Sequence, residues 1–229
     1  MCGRFTLEET IEAVENVYQV ASVQTDIAPT YNAAPRQTVA AIVNESGDAG
    51  APPSRILEGF QWGLVPPWTK ELAKSARPIN VRVETIEQRP TYRPELKSRR
   101  CIIPASGFYE WEALKGSKVK QPWYFHVSDG MAGFAGLWDE WRETRDSEPL
   151  RTCTIITMPP IELVAPVHDR MPALLSPSAG LAWLDPATPP QDALALLVHE
   201  NLAPLEKWPV SARVGNVKEN DPELVAPIG

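Results

Sequence analysis

The sequence predicts an α+β fold: a single domain over residues 1–229, built on a mainly antiparallel, strongly curved, barrel-like β-sheet with a few flanking helices. Three observations carry this expectation. Short apolar runs bounded by turn residues recur through the middle of the chain, as half-buried strands do. Helical spacing is confined to a stretch near the N-terminus and two near the C-terminus. Proline supplies 24 of the 229 residues, about twice the usual share, which shortens regular elements and fixes loops.

Taken in order, Thr6-Leu7-Glu8-Glu9 reads as a capping box, and Leu7, Ile11, Val14 and Tyr18 follow at helical spacing. A first helix is therefore expected over about 7 to 19. Cys2 then falls just upstream of its N-terminus, where the positive helix end would favour a thiolate if the chain folds back. Strands are expected at Val39 to Val43, Arg55 to Val65, Arg100 to Ile103, Phe108 to Trp111, Trp123 to Val127, Phe134 to Trp138 and Thr152 to Thr157. Asn44 to Ser54 and Leu114 to Gln121 are polar, contain Gly or Pro, and read as loops between neighbouring strands rather than domain linkers. Ser178 to Leu184 and Gln191 to Glu200 read as helices, separated by a rigid break at Asp185 to Pro190. No internal repeat is visible.

Composition narrows the function classes. A hydrophobic content of 43% suffices for a core, while no run approaches the roughly 18 apolar residues a membrane span needs. The first residues have neither an apolar signal block nor a basic transit pattern, so a cytoplasmic location is expected, nucleoid-associated if the source is bacterial, and the protein is expected to be a monomer. Cys2, Cys101 and Cys153 are odd in number and widely spaced, which argues for reduced thiols. Without a close ligand pair a zinc site is not expected, and no cofactor is implied. With 22 Lys plus Arg against 29 Asp plus Glu, the net charge of −7 disfavours diffuse attraction to nucleic acid. Any DNA binding must come from a local basic patch.

Certain residues suggest chemistry. Removal of Met1 would leave Cys2 with a thiol and an α-amine on adjacent carbons, a 1,2-aminothiol that condenses with an aldehyde to an imine and then closes to a thiazolidine. The α-amine, with an ordinary pKa of roughly 7.7 to 8.0, is far less protonated at neutral pH than a lysine; the plain alternative is an incidental cysteine. Glu110 shares its alternating face with Phe108 and Glu112, between aromatics, and burial there would raise its pKa toward proton-transfer duty. Otherwise it is a solvated strand-end glutamate. His168, in His168-Asp169-Arg170, has a loop setting suited to donating a proton, or is a structural hydrogen-bonder as His126 and His199 are taken to be. Asn80, after Pro78 in an expected loop, can orient an amine or close an Asx turn. Arg4, Arg82 and Arg170 could form the local phosphate patch or surface ion pairs. Trp68 could stack on an unpaired base, whereas Trp62 is assigned to the core. Cys101 and Cys153 sit in apolar runs as buried thiols.

The blocks Cys2-Gly3-Arg4-Phe5, Tyr31-Asn32-Ala33-Ala34-Pro35, Trp62-Gly63-Leu64-Val65-Pro66, Asn80-Val81-Arg82-Val83-Glu84-Thr85, Arg100-Cys101-Ile102-Ile103-Pro104, Gly107-Phe108-Tyr109-Glu110-Trp111 and His168-Asp169-Arg170-Met171-Pro172, with Val214-Gly215-Asn216, resemble the ordered motifs of the SOS-response-associated peptidase family. Valines at 81 and 83 are mild departures. The resemblance implies covalent shielding of abasic sites in single-stranded DNA through Cys2, with Asn80, Glu110 and His168 as catalytic partners and no metal. It selects Glu110 over Glu112, and it further implies self-processing peptidase activity; the imine chemistry adds an abasic-site lyase branch. An external-substrate cysteine peptidase or amidohydrolase, and a noncovalent single-stranded DNA-binding module, are the alternatives.

Overall fold

A computed structural model describes residues 2–45 and 54–228. Its elements are β1 (Phe5–Leu7), α1 (Ile11–Tyr18), β2 (Ser22–Gln24), β3 (Thr30–Ala33), β4 (Thr38–Glu45), β5 (Ser54–Trp62), β6 (Asn80–Arg82), α2 (Arg93–Ser98) and β7 (Arg100–Ala105). There follow β8 (Gly107–Ala113), β9 (Lys120–Val127), β10 (Ala132–Trp141), β11 (Leu150–Met158), β12 (Met171–Pro172), β13 (Leu174–Leu175), α3 (Pro177–Leu184), α4 (Pro190–Ala195) and β14 (Leu205–Pro209). All seven expected strands are present, as β4, β5 and β7 to β11. Most of the expected loop from Asn44 to Ser54, residues 46–53, lies outside the described residues.

Strands β5, β4, β7, β10 and β11 pair antiparallel in that order, and a parallel pairing of Thr152 with Gln61 and Cys153 with Trp62 joins β11 back to β5. The sheet thus closes on itself as a small barrel, which removes its free edges. Beyond the end of β5, β6 continues along β11 in parallel, with Asn80 beside Ile155. A second sheet runs in the order β14-β9-β8-β1-β3.

Period-two alternation divides the second sheet into two working faces. Phe5, Phe108 and Phe125 point into the main core, where Phe5 meets Trp62 and Phe134 edge-on, each with ring centres 5.3 Å apart, and Phe108 stacks on Phe125 at 4.9 Å. The opposite face carries Tyr109 and Tyr124 into a smaller cluster with Val210, Val214 and Leu224. Gly107 permits this layering, since a Cβ there would lie 2.5 Å from the Tyr124 hydroxyl and 2.4 Å from the Phe125 carbonyl oxygen.

The N-terminal helix is shorter than its spacing predicts and begins later. Thr10, not Thr6, caps α1, its hydroxyl accepting from Ala13 N–H at 3.2 Å. Residues 5 to 7 are instead captured as a strand between β8 and β3. Burial decides the outcome: Phe5 and Leu7 enter the core, and Thr6 is bonded at 2.7 Å to Tyr124. The helix expected to run to Glu200 ends at Ala195, with a separate turn at His199–Asn201. Asn80 opens a strand rather than sitting in a loop.

Helix α2 docks through an acid pair. Glu95 and the barrel residue Asp139 are both buried, and Arg99 ion-pairs with Asp139 while approaching Glu95 at 3.9 Å. Burial first, and then the charge of Asp139, push the Glu95 carboxyl up to about 7. Because the folded state binds this proton more tightly than the unfolded chain, the stabilisation is complete below the unfolded value of about 4.3 and is lost as pH rises through 7. Glu95→Gln, neutral at every pH, should therefore unfold at higher denaturant than the parent at pH 8, by about 1–2 kcal/mol, with the gap closing at pH 4. Chemical denaturation at the two pH values checks this; a gap independent of pH would contradict it.

Candidate active site

The pairing of β1 with β8 brings Cys2 to Glu110. Phe5 lies opposite Phe108 and Thr6 opposite Gly107, and Tyr109 N–H donates to the Arg4 carbonyl at 3.0 Å. Continuing the same antiparallel register carries the residues before Arg4 alongside Glu110. Cys2 is fully buried, its Sγ 3.9 Å from the Arg4 carbonyl oxygen. Burial, and then the nearby Glu110 charge, hold its thiol well above the usual range. The expectation of a thiolate at a helix N-terminus is therefore corrected: β1 intervenes between Cys2 and α1, and desolvation favours the neutral thiol.

Asn80 reaches the same point from the barrel. Its Nδ2 donates to the Cys2 carbonyl at 2.8 Å, so the amide holds the N-terminal segment rather than closing an Asx turn. Its Oδ1 is buried and has no hydrogen-bond partner among the described residues, leaving an acceptor beside Cys2. Glu110 is 3% exposed, and burial raises its carboxyl pKa against the opposing charge of His168. His168 itself stands on the turn after β11, its N–H bonded to the Val164 carbonyl at 3.1 Å. The Arg170 N–H donates to His168 Nδ1 at 3.0 Å, which in the neutral ring leaves the proton on Nε2. Asp169 Oδ1 also lies 3.0 Å from Nδ1, ready to accept from it when the ring is cationic.

These four residues come together from four separate chain segments. The arrangement combines a neutral thiol, an open amide acceptor, a carboxyl poised to exchange protons and an imidazole whose far nitrogen can donate. Such a set can carry proton transfers at a carbonyl carbon without a metal. Among the described residues no cluster of three His, Cys, Asp or Glu side chains is arranged to hold one.

The arginines are engaged differently. Arg4 donates to the Val214 carbonyl at 2.6 Å, the Gly215 carbonyl at 3.3 Å and Asn32 Oδ1 at 3.3 Å. Asn32, buried, in turn donates to the carbonyls of Val214, Asn216 and Glu219. Together they clasp the N-terminal strand to the C-terminal turn. Arg170 forks onto Glu84 at 2.6 and 2.9 Å and bonds the Thr157 carbonyl at 2.7 Å. Arg82 is exposed, as is Trp68 at 58%, whereas Trp62 is buried with its indole N–H on the Ile79 carbonyl at 2.9 Å. Cys101 and Cys153 are buried free thiols. Sequence reasoning assigned nothing to Asn32 or Glu84, although both sit inside recognised motif blocks; Asn32 bonds mainly to backbone carbonyls, which leave no trace in a side-chain pattern, and Glu84 meets Arg170 across 86 residues of chain.

A family model described as SOS response associated peptidase matches residues 1–217. The abasic site processing protein YoqW of Bacillus subtilis is 38% identical over 229 residues, covering 98% of this chain and 99% of that one. The abasic site processing protein HMCES of Gallus gallus is 33% identical, covering 87% of this chain and 66% of that longer protein. Among solved structures, a Bacteroides thetaiotaomicron protein matches with a TM-score of 0.82 over 99% of this chain and 100% of its own, at 24% identity, a likeness of fold alone. A phage-related protein of Bordetella bronchiseptica matches with a TM-score of 0.71 at 30% identity over 91% of this chain and 94% of its own.

A buried carboxyl with a raised pKa costs stability once it ionises. Glu110→Gln should raise the melting temperature relative to the parent at pH 8, and should not do so at pH 4, where the carboxyl is largely protonated. Scanning calorimetry at the two pH values is the check, and equal differences at both would remove desolvation as the cause.

Proposed function

The chain belongs to the SOS-response-associated peptidase family, and from that premise we propose that it processes abasic sites by capturing their aldehyde on Cys2 in single-stranded DNA. The observation that carries this reading is the meeting of Asn80, Glu110 and His168 at Cys2, with Asn80 bonded to its carbonyl at 2.8 Å. Removal of Met1, by the chain's own peptidase activity or another's, turns the nitrogen of Cys2 into a primary amine.

His168, as the imidazolium with Asp169 accepting from Nδ1, gives its Nε2 proton to the sugar ring oxygen while the C1′ hydroxyl loses its own to water, and the ring opens to the aldehyde. The amine of Cys2 adds to C1′ while the Asn80 amide holds it in line. Glu110 delivers the proton that lets water leave, giving the imine. The thiol then adds to the imine carbon; its proton passes through Glu110 to the nitrogen, and the thiazolidine closes with the net loss of one water. A thiol kept neutral by burial suits this order, because the amine attacks first and sulfur loses its proton only at closure. Positioning both nucleophilic atoms at one carbon replaces dilute encounters by a high local concentration. The imine also acidifies the neighbouring sugar carbon, so elimination of the 3′ phosphate is the competing lyase branch.

On this reading Arg82, Arg170, Arg4 and Trp68 belong to the surface that receives the strand. Arg170 can act through its fork on Glu84, and Arg4 through the clasp that fixes Cys2. The protein acts as a single domain over residues 1–229, as a cytoplasmic monomer.

Cys2→Ala should abolish a heat-stable adduct with an abasic single-stranded oligonucleotide on denaturing gels, while strand cleavage persists, because alanine retains an α-amine. An adduct of undiminished yield from Cys2→Ala would reject the aminothiol. Glu110→Gln should slow adduct formation at saturating DNA by at least about tenfold, without weakening affinity for a strand carrying a ring-closed abasic analogue. Repeated turnover of peptide substrates would favour an external peptidase instead.

A further inference from the structure

Two arginines meet at the barrel mouth in a way that folding alone does not favour. Arg36 and Arg77 both adopt the left-handed backbone region, with φ of 75° and 44°, a conformation that is strained for residues with a side chain and whose presence points to a demand from elsewhere. They straddle Gly63, where a Cβ would sit 3.3 Å from Arg77 Cβ and 3.7 Å from Arg36 Cδ. The bare glycine, itself at φ 131°, is what lets both stems lie side by side.

Their partners are uncharged. Arg77 donates to Gln61 Oε1 at 2.9 Å and to the Leu72 carbonyl at 3.2 Å, and its Nε is buried without a partner. Arg36, exposed, reaches through its side chain only the Ala76 carbonyl among the described residues, at 3.4 Å. Neither is ion-paired among the described residues, and Glu71, in the loop before Arg77, is paired with Lys74 at 2.7 Å. Burial, and then the charge of Arg36, lower the proton affinity of Arg77, so the pair repels itself. Two strained cations of like sign, one of them largely unengaged, form a surface of positive charge that no carboxylate among the described residues neutralises.

We propose that Arg36 and Arg77 form a phosphodiester-binding subsite that grips the DNA backbone beside the lesion. Arg77 lies three residues before Asn80, at most about 10 Å along the chain, and the loop between β5 and Arg77 carries the exposed Trp68. A strand lying from Cys2 past Asn80 passes this point within its first few nucleotides. Arg77, held by Gln61 and Leu72, is the fixed half, and Arg36 is the half that closes on phosphate oxygens as a fork. This assignment rests on the single-stranded DNA reading above and extends it to a chain position outside the reacting cluster.

The test uses Arg36→Gly in the full chain and a single-stranded oligonucleotide with a central tetrahydrofuran abasic analogue, which binds but cannot react. Glycine relieves the left-handed strain and the repulsion, so thermal stability should hold or rise. Affinity should fall about fivefold at 0.1 M salt, and the slope of log affinity against log salt should drop by about 0.7, the value of one single-strand phosphate contact. Arg36→Lys should retain part of both. An Arg36→Gly protein with parental affinity and slope would overturn the subsite, as would one whose weaker binding comes with lost stability and an unchanged slope. Failure of the parent protein to bind the oligonucleotide at all would instead overturn the single-stranded DNA reading, and the subsite with it.

Discussion

The pairing of Phe5–Leu7 with Gly107–Ala113 is the constraint on which the candidate site depends. It fixes where Cys2 lies, and on the proposed function the reacting atoms are those of Cys2. One flank is pinned by Phe5 between Trp62 and Phe134, and the other by Thr6 on Tyr124. Arg4 and Asn32 then tie the strand to the C-terminal turn, so a segment that would ordinarily fray is locked from both faces. Glu110 is delivered by the same pairing. Cys2 and Glu110, the reagent and proton carrier of the proposed reaction, are therefore placed by one set of backbone hydrogen bonds.

That placement is bought with desolvation. Cys2 and Glu110 are both taken out of water, and for each the charged form is disfavoured. A neutral thiol and a carboxyl of raised pKa would be poor choices for a cysteine protease that needs a standing thiolate, but they suit a reaction in which protons must be both given and taken. The buried acid pair of Glu95 on α2 and Asp139 on β10 stores the same kind of cost. Its effect falls on stability rather than on the reacting groups.

Much of this was legible in the sequence, and the limits have physical causes. The seven barrel and sheet strands announce themselves because each runs for six or more residues and carries an apolar run. Strands β1, β2 and β6 have three residues each, too few for a period to show. At β1 the local signal was misleading, since Thr6 to Glu9 has the form of a helix cap and tertiary burial overrode it. Cys2, Asn80, Glu110 and His168 were each readable as chemistry, but only family resemblance joined them, because no spacing in the chain links segments that meet through a barrel. Arg36 and Arg77 gave no signal, for their interest lies in backbone conformation and in partners that are all uncharged.

The central claim is that sulfur and nitrogen of one processed terminal residue trap the lesion together. Intact-protein mass spectrometry after incubation with an abasic oligonucleotide tests it most directly. The expected product has the mass of the protein without Met1 plus the oligonucleotide minus one water, and it survives borohydride-free denaturation. A product of equal yield on protein that still carries Met1 would contradict the account.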